Sequence, residues 1–217
     1  MKSIKLMLGI TAIILSILQS SMGYAESSQE AVKYLQQQWA INNYQLQGKA
    51  QKEAFVALID QADEWVAENP RSAELYIWRG IIKSTYAGVK GGLDALGYAK
   101  AAKADLEEAL ELDADALQGS AYTSLGTLYF NVPGWPIGFG DDKKAEKLLK
   151  RALIINPDGI DSNYFYGDYL RKEGRYDEAK MYMEKALQAS PREGRPLADQ
   201  GRKEEIRQAL VDIEDHL

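Results

Sequence analysis

Between residues 145 and 155 the apolar side chains fall at Ala145, Leu148, Leu149, Ala152 and Ile155, steps of three and four that gather them on one stripe of a helix. Asp141 or Asp142 stands where an N-cap accepts free amides, Lys150 and Arg151 approach the other end, and Pro157 stops the helix. The same design closes on Pro70 in "ALIDQADEWVAENP" (57–70) and on Pro191 in "AKMYMEKALQASPR" (179–192). Behind the polar stretch "SPREGRP", Ile206, Leu210, Ile213 and Leu217 space out a last amphipathic helix, and the spacing predicts a capping helix over 197–216.

These helical segments repeat. Ala145, Leu149, Ala152 and Pro157 recur 34 residues later as Ala179, Met183, Ala186 and Pro191. Upstream, "YTSLGTLY" (122–129) aligns with "NYFYGDYL" (163–170), and Gly126 and Gly167 stand where two helices must approach closely. Gly80 ends a similar segment, "SAELYIWRG", and Ala102, Leu106 and Ala109 repeat the partner helix more weakly. These residues resemble the tetratricopeptide repeat. The resemblance implies an all-α, right-handed superhelix of antiparallel helix pairs over 26–217, with units at about 71–115, 118–157 and 158–191.

The departures from regular spacing point to a functional edge. Gly167 and Ala179 are twelve positions apart, but Gly126 and Ala145 are nineteen apart and Gly80 and Ala102 twenty-two. Stacked repeats share an orientation, so both extra stretches, "GVKGGLDALGYAK" (88–100) and "NVPGWPIGFGDD" (131–142), should emerge along one edge. The second is too rich in Pro and Gly to be helical, yet it carries Val132, Trp135, Ile137 and Phe139. Ordering nine such residues costs on the order of 1–2 kcal/mol each, and burying four apolar side chains offsets about 1.5–3 kcal/mol each. The sums are comparable, so the loop is ordered only if those side chains dock. They either pack on the protein's own repeats or face a ligand cavity or protein partner.

Charge and composition narrow the setting. Lys2 and Lys5 precede an uncharged apolar run from Leu6 to Leu18, and Gly23-Tyr24-Ala25 offers small residues before a cut, the layout of a secretory signal peptide over 1–25. Thirteen apolar residues fall short of the roughly 20 that span a bilayer. Removing two lysines takes the net charge from −6 to −8, which disfavours nucleic acid and anionic lipid as partners. With no cysteine there is no disulfide, no thiolate and no site for lipid attachment. The expectation is a periplasmic protein without stable membrane insertion.

Candidate chemistry is sparse. The one histidine, His216, is next to last, which leaves no histidine triad or histidine metal site. "GFGDDK" (138–143) lacks the further glycines or Gly-Lys-Ser/Thr of a phosphate loop, and "DADALQG" (113–119) lacks the ligand alternation of a calcium loop. Glu107, Glu108 and Glu111 read as a solvated helix face, and Arg195, Asp199 and Arg202 as a structural charged cluster near the cap. The expectation is no enzyme, no cofactor and no metal. Aromatics are the better lead: Tyr122, Tyr129, Tyr164 and Tyr166 lie in the first helices of their repeats, and with Trp135, Ile137 and Phe139 they form the candidate ligand- or partner-binding set.

Four stretches taken together, "GGLDALGYAKAAK", "GSAYTSLGTLYFNVPGWPIGFGDDKKAE", "NPDGIDSNYFYGDYL" and "GRPLADQGRKEEI", resemble the TRAP transporter T-component (TatT) family over about 70–215. That resemblance implies a periplasmic accessory that binds the solute-binding protein of the transporter and helps hand over a small hydrophobic ligand. Family members can be lipoproteins, and this chain has no cysteine to acylate. The other reading is a periplasmic scaffold for envelope or secretion assembly with no small ligand. Pairing with a second copy of the chain is left open.

Overall fold

The computed structural model describes residues 28–92 and 94–217. The expected signal peptide and its cut after Ala25 lie outside the described residues. Among the described residues the secondary structure is entirely helical, in nine helices: α1 (28–44), α2 (Gly48–Glu68), α3 (Ala73–Lys90), α4 (Ala95–Leu112), α5 (Ala116–Asn131), α6 (Asp142–Ile155), α7 (Ile160–Lys172), α8 (Tyr176–Leu187) and α9 (Pro196–Glu214). The helices pack most extensively in the pairs α3/α4, α5/α6 and α7/α8.

The glycines explain how the pairs close. A methyl group built on Gly80 would lie 2.8 Å from Leu106 Cγ, and one on Gly126 would lie 2.8 Å from Leu149 Cγ. At Gly167 it would meet Ala179 O and Met183 at 3.3 Å, so each first helix lies nearly backbone-to-side-chain against its partner. The partner positions Ala102, Leu106, Leu149, Ala179 and Met183 are fully buried. Asp141 caps α6 by accepting from Lys144 N at 3.0 Å, and Ser72 caps α3 by accepting from Leu75 N at 3.4 Å.

The two lengthened turns are built differently. The first is largely absorbed into longer helices: α3 and α4 have 18 residues each, against 13 and 12 in α7 and α8, and only 91–94 connects them, through Gly91 and Gly92 at positive φ. The second remains a loop over 132–141. Its backbone closes on itself, with Gly138 N donating to Gly134 O (3.1 Å), Gly140 N to Pro133 O (2.9 Å) and Asp141 N to Tyr129 O (2.9 Å).

Helix α9 does more than cap. Ile206, Ala209 and Ile213 join the core of the last repeats, while Ala198 joins the core formed by α1, α2 and α3. Gly201 sits so close to α1 that a Cβ there would be 2.4 Å from the Tyr44 ring. The C-terminal helix therefore reaches the first helix, and the stack closes on itself. The helix ends at Glu214, and Leu217, expected on its apolar stripe, is exposed beyond that end.

Candidate functional site

Closure shapes a partly open cavity of about 600 Å³, within the range of small-molecule sites. Its walls are one face of each inner helix. From α3 come Trp78, Ile81, Thr85 and Gly88, and from α5 come Ser120, Thr123, Ser124, Thr127 and Asn131, both sets at helical spacing. Helix α1 adds Trp39, α4 adds Leu96 and Ala99, and α7 adds Asp161 and Phe165. Both lengthened turns reach it, one through Gly92 and the other through Val132, Pro133 and Ile137, as expected for insertions on a common edge. A polar cleft of about 750 Å³ shares Trp78, Ser120, Thr123, Asp161 and Arg195 with this cavity, so these residues stand where the two spaces meet.

Most hydroxyls on the walls are already committed to backbone. Ser84 and Thr85 donate to Ile81 O at 2.9 Å, Ser120 to Leu117 O at 2.8 Å and Thr127 to Thr123 O at 2.8 Å. Thr85 Oγ1 also accepts from Trp39 Nε1 at 2.9 Å, and Asn131 donates to Thr127 O while accepting from Lys172. The walls thus offer methyls, rings and acceptor lone pairs, but few free donors.

The charged end is tightly paired. Asp161 accepts from Arg202 Nε at 2.9 Å and from Arg192 at 2.5 Å, and Asp199 accepts from Arg192 through both its oxygens at 2.6 and 2.7 Å. Arg202 also reaches Glu205 and lies 4.3 Å from the ring centre of Tyr164 and 4.5 Å from that of Phe165. Burial works to raise the Asp161 carboxyl, but the charges of Arg202, Arg192 and Arg195 outweigh it and hold that carboxyl well below the usual carboxylate range. Arg195 differs from its neighbours. It makes no ion pair among the described residues, its Cζ lies 5.1 Å over the Trp78 ring, and its buried Nε has no partner. Burial, followed by the charge of Arg192, lowers its guanidinium to about 10, so it remains a cation at neutral pH.

The sequence-derived set divides sharply. Of its seven members only Ile137 lines the cavity. Trp135 is 89% exposed and Ile137 69%, while Phe139 turns inward, edge-on to Tyr129 at 5.5 Å and packed on the core with Val132. The loop therefore both packs and presents. Tyr129 and Tyr166 are buried; Tyr166 packs edge-on against Tyr182 at 4.7 Å. Tyr164 lies under Arg202, and burial pushes its hydroxyl up to about 12. Tyr122 is half-buried beside Arg151 of α6.

Helix geometry accounts for this. At about 100° per residue, Tyr122 and Tyr129 stand two positions from Ser124 and Thr127 and so point to the opposite face. The overlooked signal was the small polar stripe Ser120, Thr123, Ser124, Thr127 and Asn131, at steps of three and four. His216 stacks on Tyr176 at 4.6 Å and donates from Nδ1 to Asp212 O at 2.7 Å. Among the described residues no three metal-ligating side chains converge, and no helix is long and apolar enough to cross a membrane.

Comparison with known proteins agrees with this architecture. Residues 93–115 and 160–193 match the tetratricopeptide repeat, a module of protein–protein interaction. The crystal structure of a thermophilic TPR protein of Thermus thermophilus is 18% identical and superposes with a TM-score of 0.56, covering 84% of this chain and 98% of that one. A crystal structure of MamA is 20% identical over 77% of this chain and 91% of that one, with a TM-score of 0.46. That of YrrB, described as a TPR protein with an unusual peptide-binding site, is 19% identical over 75% and 79%, with a TM-score of 0.43. No curated protein matches the sequence. Two segments thus match the tetratricopeptide repeat, and the likeness to the Thermus protein is one of fold: the chain folds as a TPR-type helical stack.

Proposed function

We propose that this protein is a non-enzymatic periplasmic accessory of the TRAP T-component (TatT) type, which binds the transporter's solute receptor and assists in handling a small hydrophobic ligand. The observation that carries the reading is the loop 132–141, which anchors Val132 and Phe139 on the repeat core while leaving Trp135 and Ile137 exposed. Ile137 also lines the cavity, so a partner seated on these two side chains would lie against its rim. Exposed tryptophan on an ordered platform is a common centre of binding energy. The sequence resemblance over about 70–215, including the loop itself, supplies the choice of partner.

Co-purification from the periplasm, followed by mass spectrometry of proteins and extracted small molecules, tests the reading. A solute receptor should be recovered with the wild-type protein and be lost with Trp135→Ser. N-terminal sequencing of the periplasmic protein should read from Glu26. Recovery of envelope-assembly proteins, with neither receptor nor ligand, would replace this reading by the scaffold alternative.

A further inference from the structure

The junction of the two cavities holds an unusual pair of groups. Trp78 is 3% exposed, yet its Nε1–H has no acceptor, and the buried Nε of Arg195, stacked over the same indole, has none either. Buried donors are almost always satisfied, because leaving one unpaired forfeits its hydration without return, the more so for a charged group. Both residues line the junction of the two spaces, and the protein supplies neither donor with an acceptor of its own. Nearby carboxylates do not fill the role, because Asp161 and Asp199 are fully engaged by Arg192 and Arg202.

We infer that this junction is an anion site, and that the cavity takes an amphipathic monocarboxylate whose acid group is held by Arg195 and Trp78 while its aliphatic body lies between α3, α4 and α5. Arg195 supplies the charge and Trp78 a fixed N–H donor. Ile81, Leu96, Ala99 and Leu128 line the space for the apolar body. A peptide is a poorer fit: its carbonyls need donors along their length, whereas the hydroxyl protons of Ser84, Thr85, Ser120 and Thr127 are spent on helix carbonyls and Asn131 is occupied at both ends of its amide. A free inorganic anion would leave the apolar walls uncovered.

This inference rests on the reading of the protein as a ligand-handling accessory, but its test does not use the receptor. Binding of dodecanoate, dodecanol and dodecyltrimethylammonium is measured by quenching of tryptophan fluorescence and by calorimetry, on the wild-type protein, Arg195→Met and Arg195→Lys. Dodecanoate should bind at least about tenfold more tightly than dodecanol and should exclude the ammonium compound. Arg195→Met should lose that tenfold preference, and Arg195→Lys should keep part of it. Thermal unfolding of each variant confirms that it is folded, and Trp78→Phe, which keeps the ring and removes the donor, gives a second route if Arg195→Met does not fold. Equal binding of acid and alcohol, unchanged dodecanoate binding in Arg195→Met, or no binding of any of the three compounds would overturn the inference. Receptor capture that survives in Arg195→Met separates failure of the anion site from failure of the accessory role.

Discussion

Gly126 and Gly88 show how much one missing side chain depends on its surroundings. Both lie inside helices, where glycine is about 1 kcal/mol worse than alanine. Gly126 faces Leu149 and Ala145 so closely that a Cβ would overlap them, whereas nothing lies within 4 Å of a Cβ at Gly88. Gly126→Val should therefore lower stability by about 1–3 kcal/mol through overpacking, and Gly88→Ala should raise it by up to about 1 kcal/mol; urea unfolding of the two variants checks both signs. Asp161 belongs to the same scale. Its folded-state carboxyl is held below the ordinary range by Arg202, Arg192 and Arg195, so its contribution is complete above about pH 4 and is lost as pH falls below that, toward the folded value. Unfolding midpoints measured between pH 3 and 7 should fall steeply for the wild type at the acid end. For Asp161→Asn the curve should be lower at neutral pH and flatter.

The loop 132–141 and helix α9 set the element scale. Within the loop the Cβ test is severe: a side chain at Gly140 would come within 1.9 Å of Val132 O, and one at Gly138 within 2.4 Å of Pro133 O. The glycines are there because backbone crosses backbone, which the Pro- and Gly-rich composition announced without specifying where. Phe139→Ser removes a packed ring and should lower the melting temperature by several degrees, while Trp135→Ser, at a position 89% exposed, should leave it within about a degree. Receptor capture should respond in the opposite order if Trp135 is the contact. This division into an anchored half and a presented half was not legible in the sequence, because four apolar residues in ten give no periodicity from which a buried face could be read.

Closure of the stack is a property of the whole molecule. The repeats read from the sequence describe neighbours in the chain. That α9 also touches α1 depends on the accumulated rotation of every pair, which no local pattern records. Gly201→Leu should drive Tyr44 out of its place and separate α9 from α1. Limited proteolysis in the 188–195 linker should then accelerate, and small-angle scattering should report a larger radius of gyration than for the wild type. Closure also explains why Trp39, Trp78, Phe165, Arg195 and Arg202 line one cavity although they come from four helices and a linker.

What depends on neighbours along the chain is written in the sequence: helical periodicity, a cap at Asp141 or Asp142, the proline stops, the close-approach glycines and the two lengthened turns of one edge. The tertiary structure alone decided what depends on direction. Helical rotation of about 100° per residue turned the tyrosines of α5 and α7 mostly into packing and a modest Ser/Thr stripe toward the cavity. Likewise, Arg195 is in sequence one member of a structural charged cluster with Asp199 and Arg202, and only the geometry shows Arg192 and Arg202 taking both oxygens of Asp161 and Arg192 both of Asp199. Which cation is left unpaired is a matter of angles and distances between side chains from different helices, and composition carries no record of either.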